Sequence, residues 1–119
     1  MSWLSDKIES LDDPSAPTTP TRTLDTEFTP SATKWTLCSY AVQLAAADDA
    51  TPSVELRSDS ASPPTTARAV ASLAPTGTGG TVTAKQTLTY LVPPGHKVKL
   101  VSAGSTPTLT AVQVETVIS

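Results

Sequence analysis

From Thr23 onward the chain alternates apolar and polar positions with a period of two, which is the pattern of strands with one buried face. Trp35–Leu44 reads as a strand with Thr36, Cys38, Tyr40, Val42 and Leu44 on one face. Ser53–Ser58 puts Val54 and Leu56 on one side and Glu55 and Arg57 on the other. Thr66–Leu73 reads as a further strand. Thr81–Val92 is a long one, with Val82, Ala84, Leu88 and Tyr90 in register. Lys97–Ser102 carries Val98 and Leu100 against Lys97 and Lys99, and Pro107 opens a last strand through Val112, Val114 and Ile118. Thr23–Phe28 is extended and is stopped by Thr29-Pro30-Ser31. About seven short strands joined by Pro- and Gly-rich turns predict an antiparallel sandwich or small barrel.

The first residues follow another period. In SWLSDKIESL, Leu4, Ile8 and Leu11 fall at i, i+4 and i+7 with Trp3 beside them, which predicts a short amphipathic helix. Ser2 suits its cap, Asp6 its first turn, and Asp12-Asp13-Pro14 its end. DDPSAPTTPTR then reads as an extended, solvated connector. The expected organisation is an anchoring arm and Pro-rich linker over residues 1–21 and a β-sandwich or jelly-roll-like domain over residues 22–119.

Composition narrows the function classes. The chain has 119 residues, a net charge of −3 and eight scattered basic residues, so no basic patch draws it to nucleic acid. No stretch approaches the length of a membrane span, and the N-terminus has no basic start followed by a long apolar run, so no signal peptide is expected. The single cysteine, Cys38, excludes an internal disulfide and a cysteine-based metal site, and its apolar surroundings predict a buried, inert thiol. GTGG at Gly77–Gly80 lacks the Lys-Ser/Thr and the strand-to-helix context of a phosphate loop. Asp48, Asp49 and Asp59 lack the alternating ligands of a calcium loop. His96, the only histidine, follows Pro93-Pro94-Gly95, which reads as a corner between two strands. No catalytic residue, cofactor site or metal site is expected, and the chain reads as a non-enzyme.

The one feature with functional content is the arm. Trp3, Leu4, Ile8 and Leu11 form an apolar stripe set apart from the domain, suited to docking on a partner or on the parent domain. Burying four such side chains yields at most ~6–12 kcal/mol. Ordering the backbone of the segment costs a comparable ~10–20 kcal/mol. One arm is therefore a weak binder, and several arms on one oligomer would add by avidity. The core has few large rings, so burial between subunits would also help it.

In order along the chain, LDTEFTPSATKWTLCSYAVQL, VELRSDSASPPTTARA, LTYLVPPGHKVKLVS and VQVETVI resemble a small β-domain of tailed-bacteriophage virion structural proteins. The resemblance rests on Phe28, Pro30–Thr33, Trp35, Val54–Asp59 and Leu91–His96 and spans residues 22–119. It implies a virion component made in the host cytoplasm and a homo-oligomer, expected as a trimer with the β-domain facing outward. It does not identify the part of the virion. A chain this short has no room for a fibre shaft, so a capsid decoration or cement protein on the outer capsid surface is expected. Its partner would be the major capsid protein, and its arm would clamp neighbouring subunits. The alternative is a tail or head fibre component that binds a host receptor or glycan.

Overall fold

A computed structural model describes residues 16–46, 51–74, 80–104 and 107–118. These residues are all-β, without helix, and form two antiparallel sheets. The strands are β1 (Trp35–Ala46), β2 (Ser53–Asp59), β3 (Ala67–Ser72), β4 (Val82–Val92), β5 (Lys97–Ala103) and β6 (Thr108–Ile118). One sheet has the order β4-β1-β6, the other β3-β2-β5. The helical arm expected over residues 2–11 lies outside the described residues.

The strands form where period-two alternation meets β-branched and aromatic residues. In β1 every second residue from Thr36 to Ala46 is buried, and in β2 Val54, Leu56 and Ser58 are. Leu88 and Val92 of β4, Ala71 of β3, and Val98 and Leu100 of β5 join them in one apolar cluster with Cys38, Tyr40, Val42 and Leu44. The inner faces of the two sheets thus share a single core. Ala45 and Ala46 continue β1, which extends two residues beyond the expected Leu44.

Register follows from pairing across β1. Thr36 faces Val92 and Ala46 faces Val82 on the β4 side. On the β6 side Trp35 faces Ile118, but the register breaks between Tyr40 and Val42, which face Gln113 and Leu109. β6 therefore advances four positions where β1 advances two, a bulge that preserves which face is inward.

The β4–β5 corner has a local cause. Gly95 has φ 76° and the His96 N–H donates to the Pro93 carbonyl at 3.2 Å. Pro94 supplies the fixed φ of the first central position and Gly95 the positive φ of the second, as a type II turn needs. The Gly95 N–H is taken by the Ser31 carbonyl at 2.9 Å, so the corner is also tied to the turn before β1. Gly104, after β5, is required for space: a Cβ there would lie 2.1 Å from the Thr51 carbonyl oxygen.

Thr23–Phe28 differs from expectation. It contributes one isolated pair, Phe28 with Val98, and not a strand, so the described residues hold six strands. Asp25 is the reason. It sits at φ 62°, and its carboxylate accepts the Ser102 backbone N–H at 2.9 Å and the Ser102 hydroxyl. A left-handed residue held this way breaks the extended run that a strand requires.

Candidate functional site

Residues 16–28 form a strap that crosses from one sheet to the other. At its start Thr18 pairs with Glu115 of β6: the Thr18 N–H donates to the Glu115 carbonyl at 2.8 Å and the Glu115 N–H to the Thr18 carbonyl at 2.9 Å. At its end Phe28 pairs with Val98 of β5 through bonds of 2.9 and 2.7 Å. β6 and β5 are edges of different sheets. The strap thus bridges one open side of the two-sheet stack and covers two strand edges that would otherwise offer unpaired backbone. On the opposite side β3 and β4 meet, with the Gln86 amide donating to the Ser72 carbonyl at 2.8 Å.

A polar clasp fastens the strap. Glu115 is 4% exposed and points into the molecule. Its Oε2 accepts from Arg22 Nε at 2.7 Å and its Oε1 from Arg22 Nη2 at 2.8 Å. The Tyr40 hydroxyl donates to the same Oε2 at 2.6 Å. The Arg22 N–H donates to Gln113 Oε1 at 2.6 Å, and the Gln113 amide donates to the Thr110 carbonyl at 2.8 Å. Arg22 Cζ stands 4.1 Å above the centre of the Phe28 ring, which meets Tyr40 edge to face at 6.0 Å. A buried carboxylate is tolerated only when paired and hydrogen-bonded, and here three side-chain donors hold it. The hydrogen bond to Glu115 raises the Arg22 guanidinium further above its ordinary value. Burial raises the Tyr40 hydroxyl far above the usual phenol range.

The expected anchoring residues Trp3, Leu4, Ile8 and Leu11 lie outside the described residues, as do Asp48, Asp49 and Gly77–Gly79. The described chain does fix where the segment before Ala16 departs. Thr18 runs antiparallel to β6, so the chain before it heads toward Val117 and Ile118, at the end of the sheet where Trp35 begins β1.

The two outer faces differ in chemistry. On the β2–β5 face lie Glu55, Arg57 and Asp59, with Lys99 opposite Arg57 and Lys97 opposite Asp59. Arg57 Nε bonds Glu55 Oε1 at 3.0 Å. On the β4–β1–β6 face Trp35 pairs with Ile118, and Leu37 sits between Leu91 and Thr116. Trp35 is 45%, Leu91 41% and Leu37 39% exposed. Farther along, this face becomes hydroxyl- and amide-bearing, with Ser39 beside Thr89, Ala41 beside Thr87 and Gln43 beside Lys85.

The remaining candidates have structural surroundings. The Cys38 thiol is buried in the core, and burial pushes it up to about 11, so it is protonated and unreactive at neutral pH. Asp59 organises its own loop: its carboxylate accepts the backbone N–H groups of Ala61, Thr65 and Thr66 and the hydroxyls of Thr65 and Thr66. Those bonds, the Thr65 N–H first, hold it well below the usual carboxylate range. His96 is at the corner, half-buried, with Nδ1 lacking a hydrogen-bond partner among the described residues. No group of three or more His, Cys, Asp or Glu that could hold a metal occurs among the described residues. No helix there is long and apolar enough to cross a membrane.

The sequence does not disclose the clasp. Val112, Val114 and Ile118 mark β6 as amphipathic, yet these residues face outward while Gln113 and Glu115 face inward. The only signal available was a Gln and a Glu sharing one face of a valine-rich strand. Their partner Arg22 lies 93 positions from Glu115. No family model, curated protein sequence or solved structure matches this chain.

Proposed function

We propose that this protein is a non-enzymatic bacteriophage virion structural protein, a capsid decoration or cement protein whose jelly-roll-like β-sandwich carries an N-terminal anchoring arm. One observation carries the reading. The strap is bonded to both sheets and clasped at Arg22, so the segment before Ala16 leaves a firmly held base at one end of the molecule. A clamp gains from this arrangement, because a short tether from a fixed point keeps the arm at high effective concentration beside the body. The arm carries Trp3, Leu4, Ile8 and Leu11, side chains suited to an apolar groove on a neighbouring major capsid subunit.

In this reading the protein sits on the outer capsid surface as a homo-oligomer, a trimer, so that several weak arms act together. It binds the assembled shell and not the free subunit, and stabilises the shell by mass action. The test is a variant with Leu4 and Ile8 replaced by Asp, mixed with expanded shells and sedimented. Loss of co-sedimentation with the shell supports the reading. Undiminished decoration overturns it.

A further inference from the structure

The β4–β1–β6 outer face has an apolar end. Trp35, Leu37 and Leu91 expose roughly two fifths of their surface there, with Ile118 and Val114 half-buried beside them. They come from three adjacent strands, so they form one continuous surface and not scattered residues. The outer face of the other sheet carries Glu55, Arg57, Asp59, Lys97 and Lys99, with Val70 59% exposed beside Glu55.

We propose that residues 3–11 of the same chain seat on this surface in the free protein, with the Trp3, Leu4, Ile8 and Leu11 stripe against Trp35, Leu37, Leu91 and Ile118. The position of the chain's departure favours this occupant. Thr18 lies along the outer edge of β6 and directs the preceding residues toward Ile118, the nearest member of the patch. Trp35 and Leu37 are on the next strand, ~5 Å away. Four residues, Asp12 to Ser15, separate Leu11 from Ala16. At ~3.3–3.6 Å each they span up to about 13–14 Å, enough to turn from the edge of the sheet onto its face. A segment tethered this closely has an effective concentration in the ~mM range, so its own sheet outcompetes another copy in dilute solution.

The consequence is a parked arm. The same apolar residues cannot cover their own sheet and dock elsewhere at once, so engagement of a partner uncovers Trp35 and Leu37. This holds whatever the partner is and does not require that the partner be a capsid.

The test reads Trp35 in the full chain, with Trp3→Phe leaving it the only tryptophan while keeping an aromatic ring in the arm. Acrylamide quenching is compared with and without Leu4→Asp and Ile8→Asp in that background. The expected result is a several-fold larger quenching constant and a red-shifted emission when the arm is made polar, both independent of protein concentration. Equal quenching overturns the proposal, and so does protection of Trp35 that disappears on dilution, which would assign the surface to a second copy. A reciprocal measurement uses tryptic cleavage after Lys7 in the otherwise unaltered chain. Leu37→Asp should accelerate that cleavage several-fold, and an unchanged rate counts against the parked arm. Neither readout involves shells, so this proposal can fail while decoration stands, and the reverse.

Discussion

β1 and β6 are neighbours in one sheet and are built in opposite senses. β1 turns Cys38, Tyr40, Val42 and Leu44 inward, and its outer face carries Ser39, Ala41 and Gln43 between the apolar Trp35–Leu37 end and Ala45. β6 turns Gln113 and Glu115 inward and leaves Val112 63% exposed. The difference lies in what each inner face meets. β1 is the central strand and looks at the other sheet. β6 is an edge strand and looks at the strap, whose Arg22 needs a carboxylate. Alternation shows that a strand has two faces, and the partner decides which of them is buried.

Substitutions in the core that β1 faces and in the clasp that β6 faces separate the roles. Leu56→Ala, opposite β1 in the apolar core, should destabilise by about 2–5 kcal/mol through lost burial and the cavity left behind. Glu115→Ala should destabilise by about 3 kcal/mol by a different route, because it strands Arg22 and the Tyr40 hydroxyl without their acceptor. Chemical unfolding measures both. The contrast appears in the double variants: Arg22→Ala should recover part of the Glu115→Ala loss and none of the Leu56→Ala loss. Strict additivity of Arg22→Ala and Glu115→Ala would show that the clasp does not couple the strap to β6.

Tyr40→Phe is a smaller step, expected to cost about 1 kcal/mol for one hydrogen bond to a carboxylate that keeps its Arg22 contacts. A loss as large as that of Glu115→Ala would mean that the tyrosine, and not the strap, satisfies the buried charge.

The smallest effect concerns acid. Asp25 and Asp59 are held below their ordinary value of 3.8, Asp25 mainly by the Ser102 hydroxyl and Asp59 mainly by the Thr65 N–H. A carboxylate whose folded value is depressed stabilises the fold above its unfolded value. That contribution fades as pH falls below 3.8 toward the folded values. Unfolding midpoints should therefore decline below pH 3.8, and Asp25→Asn and Asp59→Asn should flatten that decline. An unchanged acid limb in both variants would place the acid sensitivity elsewhere.

Much of the fold was legible because each element announces itself locally. The inner faces of β1 and β2 and the Pro94-Gly95 corner follow from alternation and turn chemistry alone. The strap was not legible, because its structure is set by distant partners: Asp25 by Ser102, Phe28 by Val98, and Thr18 and Arg22 by Glu115. An extended, proline-rich segment looks the same in sequence whether it is solvated or bonded to an edge strand. The inward turn of Glu115 was hidden for the same reason, since its compensating charge is at the other end of the chain. The arm is the converse case: its stripe is plain in sequence, and its seat is a matter of which surface it reaches.

The most direct measurement of the functional account is the copy number of this protein in purified virions relative to the major capsid subunit. Decoration of the shell predicts a stoichiometry comparable to that subunit. A few copies per particle would contradict it and place the protein at a tail, portal or fibre position.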